Sequence, residues 1–354
     1  MRLVATLFHN SRSPNLKAAG QLASPSTPLS SHSGDSGTSN SPSDSSISEA
    51  CCIAFLELAK SAWVLRNHII RPLDDSYHPT VVEITIESAQ FVFDGHSLNL
   101  GAKIRKYQHD TIAKFEREWN VQMVLQQDSV LRRYKRLAVF DMDSTLIQQE
   151  VIDEIARKLG VEDEVSAITE LAMNGELDFT ASLRARCSLL RGVPCTVFEE
   201  LRSVITLTPG AKELVRALKR LGYKTAVLSG GFTPLTSWQA NQLGLNYAFA
   251  NHLVVSVDGR TLTGELQGEI VNGEKKRDLV IQIAEREGIP LDQVLVVGDG
   301  ANDLPMMGVA GLGVAYNAKP KVQLEAPARL NSNSLMDVLY LLGFTKEEQD
   351  ELLR

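Results

Sequence analysis

The sequence predicts an α/β protein built on a doubly wound parallel sheet, and three observations carry that expectation. Beyond Lys135, short apolar strands alternate with helical patterns, as a parallel sheet with right-handed crossovers requires. One of these strands, Leu137-Ala138-Val139-Phe140, opens into Asp141-Met142-Asp143-Ser144-Thr145. Another, Val294-Leu295-Val296-Val297, opens into Gly298-Asp299-Gly300-Ala301-Asn302-Asp303. Open α/β sheets bind ligands beyond the carboxyl ends of their strands, so two acidic strand ends point to one site.

Taken in chain order, Leu3-Val4-Ala5-Thr6-Leu7-Phe8 reads as a strand within residues 1–10. The same opening carries Arg2, Arg12 and Lys17 and no acid as far as Gly20, a hint of a mitochondrial presequence that the strand outweighs. Residues 11–49 are dominated by Ser, Pro, Thr, Gly and Asn. Such a segment buries too little apolar surface to offset its ordering entropy and is predicted to be a disordered linker. Residues 50–130 read as a small α+β module. Cys52, Phe55, Leu56, Ala59, Ala62 and Trp63 recur at helical spacing, and Val82, Ile84 and Ile86 alternate with Glu83, Thr85 and Glu87 as in a half-buried strand. A helix over about 103–119 and an alternating strand at Val121, Met123 and Leu125 complete the module, which carries no chemical constellation.

Residues 135–147 and 207–345 form the predicted α/β core. Thr208 is a candidate N-cap with Pro209 at the first helical position, and Gly222 closes that helix. Strand Thr225 to Leu228 follows, then a helix opened by Thr233 and Pro234 and ended by Gly244. Across 148–206 the strands vanish. Val151 to Leu159, Glu162 to Met173 and Asp178 to Leu190 read as helices. A helical insertion directly after the first acidic edge is a candidate cap over the site.

Composition narrows the function. A chain of 354 residues with 44% hydrophobic residues buries a sizeable core, and no apolar run approaches membrane-spanning length. The net charge of −7, without a basic stripe, argues against a nucleic-acid partner. Cys51, Cys52, Cys187 and Cys195 have neither zinc-ligand spacing nor a secretory framework, which suggests a reducing, cytoplasmic setting. Paired carboxylates at Asp141 and Asp143 can divide nucleophilic and proton-transfer work and together hold a divalent cation. Leu228-Ser229-Gly230-Gly231-Phe232-Thr233 runs from strand through a glycine turn into a helix start. There, close main-chain N–H groups and the Ser229 hydroxyl suit an anion. Lys275 opens a helix with Lys276 and Arg277 and could neutralise phosphate charge. Metal-assisted phosphoryl chemistry is the leading reading.

These four segments, in this order, resemble the four motifs of the haloacid dehalogenase superfamily. More narrowly, Leu137 to Val314 resembles its phosphoserine phosphatase family. The narrower match rests on Gln149-Glu150-Val151-Ile152-Asp153-Glu154-Ile155-Ala156, Phe179-Thr180-Ala181-Ser182-Leu183-Arg184-Ala185-Arg186, Tyr247-Ala248-Phe249-Ala250-Asn251 and Ala318-Lys319-Pro320. The resemblance implies a Rossmann-like core with a small helical cap, hydrolysis of O-phospho-L-serine as the last step of serine biosynthesis, and Mg²⁺ as cofactor. It implies Asp141 as nucleophile, Asp143 as acid and base, and Lys275 as charge neutraliser. Mg²⁺ would sit on Asp141, Asp143 and Asp299, with Asp303 behind them. Glu150, Arg186, Ser229, Gly230, Asn302, Met173 and Phe179, with Lys275, would line the substrate site. It also suggests an amino-acid-binding module of the ACT type within 50–130, and it is compatible with a homodimer.

Rival readings fare worse. A calcium-binding loop counted from Asp141 would place Leu146 and Ile152 where glycine and glutamate are required. Gly308, Gly311 and Gly313 lack dinucleotide spacing. A phosphorylated ion pump would need membrane helices. Two alternatives stay open: a related phosphatase acting on another small phosphomonoester, and a catalytically silent sensor of a phosphorylated or amino-acid ligand.

Overall fold

The computed structural model describes residues 2–12, 45–62, 64–88, 111–173 and 176–354. Most of the linker predicted to be disordered (13–44), Trp63 and the first part of the helix expected from 103 lie outside the described residues.

The amino-terminal module comprises β1 (Arg2–His9), α1 (Glu49–Ala62), β2 (Leu65–Pro72), β3 (Val81–Ser88), α2 (111–118) and β4 (Val121–Gln127). Its sheet has the order β2-β3-β1-β4 with antiparallel neighbours, a split β-α-β arrangement. The first strand is therefore an interior strand of this module, far along the chain from the residues it pairs with. Period-two alternation decides what each face does. Leu3, Ala5 and Leu7 lie opposite Ile86, Ile84 and Val82 and pack with Phe55 under the module's helices. Phe8, Val81 and Val124 face the other way and join the main core. The linker expectation needs correction at its end: Ser11 and Arg12 belong to a helical turn, and the Arg12 guanidinium pairs with Asp337 at 2.8 Å and Asp74 at 3.1 Å. Two aspartates there offset the ordering entropy that composition alone leaves unopposed.

The core runs β5 (Leu137–Phe140), the cap helices α3 (Val151–Leu159), α4 (Glu162–Met173), α5 (Phe179–Ser188) and α6 (Val197–Leu201), then α7 (Ala211–Arg220), β6 (Lys224–Phe232), α8 (Thr233–Leu243), β7 (Tyr247–Val255), β8 (Leu262–Gln267), α9 (Gly273–Arg286), β9 (Val294–Gly298), α10 (Leu304–Val309), β10 (Leu312–Tyr316), α11 (Pro320–Glu325), β11 (Ala328–Leu330), α12 (Val338–Leu341) and α13 (Lys346–Leu353). The sheet order is β11-β10-β9-β5-β6-β7-β8, parallel except for β8. Both faces are covered. Leu137 and Val139 pack with Leu279, Val280 and Met306 on one side, while Ala138 and Phe140 pack with Leu214, Leu218 and Leu235 on the other.

The helix at 211 starts later than its sequence suggests. Gly210, at φ +78°, is the N-cap in place of Thr208. Pro209 accepts the Leu335 N–H and Gly210 lies so close to Ser334 that only glycine fits, which turns the chain before the helix can begin. The cap joins the core through two antiparallel segments, bridged at Ile147 and Leu207 and tied by Gln148 N–H to the Thr206 carbonyl at 3.0 Å. No described helix is long and apolar enough to cross a membrane.

Candidate active site

Register brings the site together. Phe140 of β5 lies opposite Val297 of β9 and Val227 of β6, so Asp141, Asp299 and Ser229 all emerge at one carboxyl edge. The Asp141 N–H continues the ladder to the Val297 carbonyl at 2.9 Å. After Asp141 the chain coils tightly through Met142–Leu146, with Ser144 left-handed at φ +53°. Met142 N–H donates to Asp141 Oδ1 at 2.7 Å and fixes that carboxylate. Ser144 Oγ donates to Glu150 Oε1 at 2.7 Å, and Thr145 Oγ1 donates to Asp299 Oδ1 at 3.2 Å. One turn thus anchors both acidic edges and the N-cap of the first cap helix.

The cation of the site is Lys276, which corrects the expectation for Lys275. Lys276 is fully buried, and its Nζ lies 2.9 Å from Asp141 Oδ1 and 2.7 Å from Asp303 Oδ1. Lys275 points outward, its Nζ 2.5 Å from the exposed Glu269. One residue on a helix is about a 100° rotation, which decides which lysine faces inward. The buried stripe of α9 is Lys276, Leu279, Val280 and Ile283, spaced i, i+3, i+4, i+7. That periodicity was present in the sequence and identifies the inward lysine. Burial lowers the Lys276 pKa, but Asp141 and Asp303 outweigh it and raise the pKa overall, which keeps the ammonium charged.

Asp303, also fully buried, has both oxygens engaged. Oδ1 takes Lys276, and Oδ2 accepts the N–H groups of Asp299 at 3.1 Å and Gly300 at 3.0 Å. It positions the Asp299 loop and Lys276 rather than Lys275. One oxygen each of Asp141, Asp299 and Asp303 lies within 4.8 Å of the others; the Asp143 side chain is outside that group. Burial, then neighbouring charge, pushes the Asp141 and Asp143 carboxyls well above their ordinary range and Asp299 to about 7. Crowded, desolvated carboxylates of this kind favour a hard divalent cation.

Asp143 faces the glycine turn: a Cβ at Gly231 would lie 3.1 Å from both Asp143 Oδ2 and Ser229 Oγ. Its Oδ1 is buried without a hydrogen-bond partner among the described residues. Phe179 of the cap closes over Gly230, where a Cβ would lie 2.9 Å from its ring and 3.6 Å from Asn302 Nδ2. Arg186, rather than Arg184, is the cap arginine whose charge reaches Glu150 and Asp153, and its buried Nε has no partner among the described residues. The Glu150 carboxyl is raised by burial, against the Ser144 hydrogen bond that lowers it. Met173 ends α4, and its side chain lies outside the described residues.

Residues 135–311 match the model of the haloacid dehalogenase-like hydrolase family. A "Probable phosphoserine phosphatase" of Schizosaccharomyces pombe is 51% identical over 219 residues, covering 62% of this chain and 74% of the relative. A structure described as a substrate-bound phosphoserine phosphatase complex superimposes with a TM-score of 0.55 at 45% identity, covering 58% of this chain and 97% of that one. A haloacid dehalogenase family hydrolase from Salmonella enterica shares the fold over 97% of this chain and 99% of its own, with a TM-score of 0.66 and 24% identity.

Proposed function

The chain belongs to the haloacid dehalogenase-like hydrolases, and from that membership we propose that it is a phosphoserine phosphatase, hydrolysing O-phospho-L-serine to L-serine and phosphate. The observation that carries this reading is Lys276 clamped between Asp141 and Asp303 beside Asp143, whose Oδ1 is buried, with a cap arginine whose Nε has no partner among the described residues.

In the first step an Asp141 oxygen attacks phosphorus. The Asp141–phosphorus bond forms as the bond to the serine oxygen breaks, and Asp143 gives its proton to that oxygen. Burial raises the Asp143 carboxyl well above its ordinary range, which favours the protonated form that this task uses. In the second step Asp143 takes a proton from water, which displaces Asp141 from phosphorus and releases phosphate. Ser229, the Gly230 main chain and Lys276 receive the charge that develops on the phosphoryl oxygens. Mg²⁺, held by Asp141, Asp299 and the main-chain carbonyl of Asp143, would supply Lewis-acid polarisation of those oxygens. Asp303 accepts from Lys276 and from two N–H groups, and so orients its neighbours. Glu150 and Arg186 are suited to the amino and carboxylate groups of the serine. Free Cys51, Cys52, Cys187 and Cys195 support a reducing, cytoplasmic setting.

The test is phosphate release from a panel of phosphomonoesters with Mg²⁺ and with chelator. Selective, Mg²⁺-dependent turnover of phosphoserine is expected. Equal turnover across the panel would move the assignment to a broad phosphatase, and none at all to a ligand sensor.

A further inference from the structure

Beside the glycine turn lies a buried polar side chain that the mechanism does not use. Asn251 of β7 is 2% exposed, and its amide is engaged at both ends. Nδ2 donates to the Gly230 carbonyl at 2.9 Å, and Oδ1 accepts the Val271 N–H at 2.8 Å. Both partners are main-chain groups of fixed polarity, so the amide has one orientation only. We propose that Asn251 is a positioning residue that sets the hydrogen-bond polarity of the Ser229-Gly230-Gly231 turn, so that the Ser229 hydroxyl donates its proton into the site. This rests on the reading of that turn as a phosphate cradle.

The ladder between β6 and β7 breaks between Leu228 and Phe232, and Phe232 lies opposite Asn251. Ser229, Gly230 and Gly231 remain within β6 but have no register partner in β7, which leaves their peptides open to side-chain partners. Asn251 draws the Gly230 carbonyl toward β7. Because a peptide carries its carbonyl and following N–H on opposite sides, the Gly231 N–H is turned away and donates to Ser229 Oγ at 2.9 Å. Ser229 Oγ is fully buried and is now an acceptor on that side. Its own proton has no acceptor among the described residues, and the oxygen borders Asp143 across Gly231. The donor is left for an incoming anion. Through Val271 the same amide also ties the turn to the segment leading into α9, whose N-cap Asn272 precedes Lys276. Aspartate here would set an acceptor against the Gly230 carbonyl, and a shorter side chain would leave both main-chain groups unpaired.

The test is a double-mutant cycle in the full chain. Asn251→Asp, Asn251→Ser, Ser229→Ala and the Asn251→Ser/Ser229→Ala pair are assayed on phosphoserine and on an aryl phosphate, with melting temperature as a fold control. Asn251→Ser buries no charge and serves if Asn251→Asp does not fold. Each Asn251 change should lower kcat by about 30-fold or more on both substrates while KM moves less than about threefold. In the Ser229→Ala background, Asn251→Ser should cost less than about threefold further. Losses that multiply would overturn the proposal, as would an Asn251→Ser enzyme of parental kcat. Parent turnover of aryl phosphate without phosphoserine would remove the substrate assignment and leave this test intact. If the parent turns over neither, affinity for inorganic phosphate by calorimetry replaces kcat: the same non-additivity sustains the proposal, and additive losses end it.

Discussion

Two adjacent lysines carry the same charge and differ in burial. Lys276→Met would leave Asp141 and Asp303 facing each other without a counter-charge, and removing one partner of a buried ion pair costs about 3–5 kcal/mol. Thermal melts should show that loss, and phosphate release should disappear with it. Lys275→Met removes only an exposed pair with Glu269, worth about 0–1 kcal/mol, and should leave turnover within about twofold. Asp141→Asn has a different signature. Its carboxyl is held above the ordinary range by burial and by Asp303, so the charged form is disfavoured in the folded state. The neutral isostere in chelator-containing buffer should melt no lower than the parent, yet turnover should vanish because an amide does not attack phosphorus. Turnover within about tenfold of the parent, about 1.4 kcal/mol in the barrier, would exclude covalent catalysis through Asp141.

At the scale of the element, the proposed function gives substrate choice to the cap and chemistry to the sheet. Arg186→Ala should weaken phosphoserine turnover strongly, since a carboxylate deprived of a buried partner costs roughly 2–5 kcal/mol. An aryl phosphate has no such group, and its hydrolysis should barely change. Equal losses on both substrates would make Arg186 a support of the cap. Elements were legible where one local rule decided them. The β5 and β9 strands are uninterrupted apolar runs, Asp178 caps α5 by accepting the Ala181 N–H, and Gly244 closes α8. What stayed hidden depends on contacts distant in sequence. Gly210 displaces the start of α7 because of Ser334, and the pairing of Asn251 with Gly230 needs a broken ladder that no local pattern announces. Lys276 lies between these cases, since its helical stripe was readable and a one-residue step concealed it.

Across the whole molecule, the amino-terminal module and the core share buried surface. Glu83 accepts from Arg71 at 2.9 Å and from the buried Arg132 at 2.6 Å, and Arg132 also donates to the Leu341 carbonyl at 2.9 Å. Gln122 of β4 donates to the Arg329 carbonyl and accepts the Asn331 N–H, each at 3.0 Å, closing the edge at β11 with a side-chain amide. Glu83→Ala should therefore destabilise the protein by about 3–5 kcal/mol by stranding Arg132. Calorimetry of the parent should give a single unfolding transition, and two separated transitions would show that the shared core does not couple the halves. The same sharing bears on how the chain is made. Phe8 and Val81 pack with Val338 and Leu339, and Arg12 meets Asp337 across 325 residues. A ribosome adding about 5–20 residues per second leaves that apolar face uncovered for tens of seconds. The apolar face of β1 stays open until those distant partners are made, and a holdase that covers it meanwhile should raise the yield of folded protein.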